Sequence, residues 1–140
     1  MQLYLLNALI APYDTKRDET AVFVMKRMDT NEVIELFKMS REANIDIVSA
    51  IGHQSTADFL KEIFPEEIAR HFTYDRKSIY FEQGDLGLVF RVTTRGDKFK
   101  EHTIEDLRTF HAQNETEFLL ISRVYHPEIT LNPYFPKAEV

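Results

Sequence analysis

Apolar and polar positions change their spacing repeatedly along this chain, and each change marks an element. "QLYLLNALI" is almost continuously apolar and predicts a buried first strand. "APYDTKRDET" is polar and reads as a loop, and "AVFVMKRM" returns to a β-rich pattern. In "DTNEVIELFKMSREA", Val33, Ile34 and Phe37 fall at helical spacing behind a cap at Asp29 or Thr30. "SAIGHQST" leads into a second amphipathic helix, "TADFLKEIF", which Ser55 or Thr56 can cap. "KSIYFEQGDLGLVFRVTT" places Gln83-Gly84-Asp85 between two strand-like runs and predicts a hairpin. "TIEDLRTFHA" is a short helix with Thr103 and Asp106 at capping-box spacing, and "TEFLLISRVYH" a last strand. The pattern predicts an α/β fold: one domain over residues 1–125 with a mixed, roughly five-stranded sheet and flanking helices. Residues 126–140, with three prolines, form a C-terminal arm or tail.

Composition narrows the functional classes. The 140 residues, 44% hydrophobic and 29% charged, are those of an ordinary globular domain with a proper core. There is no apolar run of membrane-spanning length, and the N-terminus lacks the basic region and cleavage site of a signal peptide. With no cysteine there is neither a disulfide framework nor a thiolate nucleophile, so the expected location is the cytoplasm. A net charge of −6 argues against binding duplex nucleic acid and against a DNA-binding regulator. It leaves room for a small phosphorylated ligand held by a few arginines.

The catalytic signatures that can be read as short motifs are absent: no HExxH, GxSxG, P-loop or GxGxxG. What remains is polar residues at strand ends and loops. His53 stands at a helix start, where backbone N–H groups attract anions, and an imidazole there can serve as a general acid near neutral pH. Its bland alternative is an exposed loop histidine. Gly52 lets the backbone turn sharply or something approach closely. Arg95 ends the strand-like run "LVFRVTTR" and can clamp a phosphate in two places, though strand-end arginines are often merely solvated. Arg91 lies at even spacing from it, hence on the same face. Asn7 either pins the core or donates to a base or phosphate. Arg76 in "TYDRKS" carries the weakest pattern. His71, His102, His111 and His126 read as surface residues.

Together, "YLLNALI", "SAIGHQST", the "DR" pair at Asp75-Arg76 and "LVFRVTTR" resemble the viral ring nucleases, small proteins of archaeal viruses, phages and prophages that act as type III anti-CRISPRs. The resemblance runs from about Leu3 to Val124, and Ile-Gly-His within "SAIGHQST" is its most specific element. It implies a two-fold homodimer that binds cyclic tetra-adenylate and cleaves it with no metal or cofactor. A ribose 2′-hydroxyl attacks the adjacent phosphodiester. His53 then matches the catalytic histidine that protonates the departing 5′-oxygen, and Arg95 the arginine that stabilises the phosphate. Asn7, Ile10, Gly52, Ser55, Arg76, Arg91 and Asp97 complete the implied ligand-binding set. One departure stands out: Lys98 occupies the place of a family glutamate, with Asp97 beside it. The alternative function is a protein that sequesters the cyclic nucleotide without turnover.

Overall fold

The structure, a computed structural model, describes residues 1–93 and 102–125. Five strands and four helices lie among them: β1 (Gln2–Leu6), β2 (Phe23–Met28), α1 (Thr30–Glu42), β3 (Asp46–Ser49), α2 (Gln54–Ile63), α3 (Glu66–Ala69), β4 (Leu86–Val92), α4 (Ile104–Ala112) and β5 (Thr116–Arg123). The sheet runs in the order β2-β5-β4-β1-β3. β1 pairs in parallel with β3 and β4, while β5 runs antiparallel to β4 and β2. The α/β reading and the mixed five-stranded sheet therefore hold.

β1 sits between two parallel neighbours and is covered on both faces, which accounts for its unbroken apolar run. Leu3 and Leu5 face a core built with α1, α2, α3 and α4, through residues such as Phe37, Phe59, Leu60, Ile68 and Leu107. Tyr4 and Leu6 face a smaller core with Ile79, Phe81, Val89 and Ile121. Helices thus cover one face of the sheet, and an extended strap covers part of the other.

That strap corrects the hairpin expectation. Gln83-Gly84-Asp85 does turn, with Gly84 at φ 89° and the Asp85 carboxylate accepting from the N–H groups of Glu82 and Gln2. But β4 already has β1 on one edge and β5 on the other, so residues 77–83 have no edge to join. They cross the sheet face instead, anchored by the Phe81 N–H to the Pro12 carbonyl at 2.8 Å. Buried Arg123, 2% exposed, donates to the Phe81 carbonyl and to Asp18 at 3.1 Å. The fifth strand is the short β3, whose Asp46, Ile47 and Val48 remain at least partly exposed and carry too little pattern to be read in advance.

Capping behaved more simply at two helices. Asp29 and Glu32 form a full capping box at α1, and Thr103 and Asp106 form another at α4. At α2 the expectation fails. The helix begins at Gln54, His53 is the N-cap residue, and the Ser55 hydroxyl donates to the His102 carbonyl at 2.6 Å rather than capping. Thr56 is buried.

Candidate functional site

The carboxyl ends of β1 and β3 meet the N-terminus of α2, the place in an open α/β sheet where ligands are usually held. β1 ends at Leu6, one residue before Asn7, so Asn7 is not the strand-interior amide the sequence suggests. Its side-chain oxygen accepts from the Gly52 N–H at 2.9 Å. That bond spans the two strand ends and fixes the turn immediately before His53. Its side-chain NH₂ has no hydrogen-bond partner among the described residues.

Arg76 reaches the same turn, although its sequence context was the least telling. Past β3 the chain bridges in parallel to the segment after α3: Ile51 pairs with Tyr74, the Asp75 N–H donates to the Ile51 carbonyl at 3.0 Å, and Ser49 Oγ donates to the Thr73 carbonyl. A Cβ built on Gly52 would lie 3.7 Å from Arg76 Nε and 3.8 Å from Asn7 Oδ1. The nearby carboxylate of Asp75 is held by Lys77 at 2.7 Å, and among the described residues Arg76 has no ion-pair partner. An unmatched guanidinium thus stands beside a half-buried turn in an acidic protein, which is an arrangement suited to an anion.

His53 is half-buried at the N-cap of α2, and its side chain makes no capping bond. The imidazole is therefore not consumed in holding the helix end. Ser55, the second residue of α2, ties the first turn of the helix to the loop before α4. Ile10 stands outside β1 and lines a cleft of about 350 Å³ with Leu6, Pro12, Ala50, Lys77, Ser78, Ile79 and Tyr80. Asn7 adjoins Leu6 in the chain and Arg76 adjoins Lys77, which places that cleft next to the turn. Ser78, Ile79 and Tyr80 were not singled out in the sequence, where they look like one arm of a hairpin.

Arg91 has a different setting. Its register partner across the β4–β5 pair is Glu117, and Nε lies 2.6 Å from that carboxylate. β4 is an interior strand, so the pair neutralises a charge that an edge strand would have left to solvent. Arg95, Asp97 and Lys98 lie outside the described residues, as does the arm at 126–140. Asn7, Gly52, His53 and Arg76 are brought together; Ile10 and Ser55 flank them.

The histidines expected at the surface need correction. His71 is half-buried with its ring 5.7 Å from Phe37, and its Nε2 is buried with no hydrogen-bond partner among the described residues. Burial, and then the charges of Arg70 and Arg41, push its pKa below the ordinary histidine value. His111 packs on Phe59 at 5.4 Å and holds Thr116 Oγ1 at 2.8 Å through Nδ1. His102 packs on Phe110 at 5.2 Å. His126 lies outside the described residues.

Among the described residues, no helix is long and apolar enough to cross a membrane. Comparison with known proteins gives a viral setting. The chain is 32% identical to the uncharacterized protein ORF117 of Acidianus two-tailed virus over 93 residues, 66% of this chain and 71% of that one. It is also 32% identical to uncharacterized protein 26 of Sulfolobus islandicus filamentous virus over 106 residues, 75% of this chain and 80% of that one. Its fold is similar to that of B116 of Sulfolobus turreted icosahedral virus, with a TM-score of 0.57 at 14% identity, covering 88% of this chain and all of the other. The family model described as STIV B116-like matches residues 3–115. With most of its length matched by that model and two viral relatives at this identity, the chain belongs to the STIV B116-like family.

Proposed function

We propose that this protein is a metal-independent ring nuclease that binds and cleaves cyclic tetra-adenylate and thereby silences type III CRISPR signalling. The observation that carries the reading is the convergence of Asn7, Gly52, His53 and Arg76 on one turn at the start of α2. In this reading Arg76 and the amide NH₂ of Asn7 hold a phosphate of the ring, and Arg95 stabilises the phosphate that reacts. A ribose 2′-oxygen bonds to phosphorus and gives up its proton to water. The bond to the 5′-oxygen breaks, and that oxygen takes a proton from the His53 imidazolium. Each cut leaves a 2′,3′-cyclic phosphate and a 5′-hydroxyl. Two cuts on opposite sides of the ring, one by each protomer of a homodimer, release two linear di-adenylates.

Incubation with cyclic tetra-adenylate in EDTA, followed by chromatography, tests the proposal. Di-adenylate products are expected, and an intact ring that does not bind overturns it. Sequestration without turnover is the second reading, favoured by Lys98 standing where the viral ring nucleases place a glutamate. It is the outcome if the ring binds and elutes whole.

A further inference from the structure

The sheet ends on one side at β2, which has β5 on one edge and, among the described residues, no strand on the other. Its pairing fixes which main-chain groups are spare. The Val124 N–H donates to the Val22 carbonyl at 3.0 Å, so these two residues form a hydrogen-bonded pair of the antiparallel ladder. The register then makes Val24 with Ser122, Lys26 with Leu120 and Met28 with Phe118 the next such pairs. The Arg123 N–H, one residue away, points in the opposite direction to the Asp85 carbonyl, as that alternation requires. Phe23, Met25 and Arg27 therefore turn their N–H and C=O groups away from the sheet, and none of these groups has a partner among the described residues. Val24 and Met25, on opposite faces of β2, are 53% and 54% exposed. Such an edge is a template for another strand.

We infer that the free edge of β2 is the docking site of this chain's own C-terminal arm, with Glu128 to Asn132 pairing on it in parallel as a sixth strand. The place where the chain leaves the sheet favours this occupant. Tyr125 is the last described residue, and it follows directly on Val124, which is held beside Val22 at the start of β2. Reaching the outer edge of β2 from β5 means crossing two inter-strand spacings, about 10 Å, and the three steps from Tyr125 to Glu128 span about 10 Å when extended. A strand entering at that end runs toward Met28, which sets the parallel orientation. The sequence supplies a segment of the right length. Pro127 and Pro133 bracket the proline-free run "EITLN", as long as the stretch from Phe23 to Arg27, and prolines suit the two ends of a strand because they cannot donate to a ladder. Ile129 and Leu131 would share one face, and each face of β2 offers them an exposed apolar neighbour, Met25 or Val24. Lys26 and Arg27 discourage a second copy of β2 as the occupant, since edge-to-edge pairing would bring like charges together.

Amide hydrogen exchange followed by nuclear magnetic resonance tests this in three proteins: the full chain, the full chain carrying Ile129→Pro with Thr130→Pro, and a chain ending at Tyr125. One of two adjacent residues must face β2 in either register, so the double substitution removes a ladder bond whichever way the arm lies. The amides of Met25 and Arg27 should exchange at least about tenfold faster in both altered proteins than in the full chain. Those of Val24 and Lys26, already bonded to β5, should change far less. Equal exchange at Met25 and Arg27 in the full chain and the double-proline variant overturns the inference. So does faster exchange of all four amides alike, which would report general destabilisation. Protection that grows with protein concentration also overturns it, because the edge would then belong to a second copy.

Discussion

The side-chain oxygen of Asn7 is committed to the Gly52 N–H, which leaves its NH₂ as the group a ligand can meet. Two substitutions separate those roles. Asn7→Ala leaves the Gly52 N–H without its partner, and urea denaturation should show a loss of about 1 kcal/mol or more. Asn7→Asp keeps an acceptor for Gly52 but replaces the donor with a negative charge beside Arg76. It should fold nearly as stably while its affinity for cyclic tetra-adenylate falls about tenfold or more. Unchanged ring affinity in Asn7→Asp would take this side chain out of the site. Half of this was readable from the sequence. An amide in an apolar run needs a partner, but nothing in the run says that the strand stops at Leu6.

His71 gives a second prediction at this scale, and its sign follows from burial. The folded protein resists protonating it, and Arg70 and Arg41 add to that resistance. Unfolded, the ring titrates near its ordinary value of about 6.5. The unfolded chain therefore binds more protons as the pH falls through that value, and stability present above it is lost toward the lower folded pKa. Thermal melts between about pH 7.5 and about pH 5.5 should show that loss, and His71→Gln should show less of it. Identical slopes in the two proteins would mean that His71 does not drive the effect. Sequence context misplaced this residue because its neighbours Arg70 and Thr73 are exposed, while the turn after α3 carries the ring back against α1.

Among the elements, the strap over the second face shows how a local pattern can be right and its pairing wrong. Ile79 and Phe81 alternate with polar neighbours as a strand would, and both are buried as that pattern requires. Whether an edge was open to them depended on β1 and β5, which lie far away in sequence. The strap also depends on Gly87 in the middle of β4. A Cβ there would come within 2.7 Å of Phe81 Cζ, and Phe81 is wedged against Tyr4 and Phe23, each at 5.5 Å between ring centres. Gly87→Ala should cost about 1–3 kcal/mol in a denaturant titration. In a Phe81→Leu background the same change should cost measurably less, since the atoms in conflict are gone. Strictly additive losses would show that the ring does not set the requirement for glycine. The capping boxes of α1 and α4 were legible because each is written within four consecutive residues. The fixed turn before α2 was not, because its partners Asn7 and Arg76 come from two other parts of the chain.

For the whole molecule, the proposed function requires more than one chain, because one His53, one Arg76 and one Arg95 cannot present the same groups to opposite sides of a four-phosphate ring. A two-fold dimer can, because the ring carries that symmetry itself. Light scattering should therefore find two chains per particle, and calorimetric titration should saturate at one ring per two chains. A monomer that binds one ring per chain would contradict this assembly even if the ring were cut. The fold and a viral setting could be approached from the sequence because β1 and the Ile-Gly-His turn are continuous segments. Assembly could not, because an interface draws single residues from many segments.

The central claim is that His53 acts as the acid in ring opening while Asn7, Arg76 and Arg95 hold the ring. Single-turnover cleavage of cyclic tetra-adenylate by the wild-type protein and His53→Ala, with ring affinity measured on the same samples, tests it most directly. The account predicts comparable affinity for the two proteins and cleavage about 10²–10⁴-fold slower in the variant. Equal cleavage by the two proteins, or an affinity that falls as far as the rate, would contradict it.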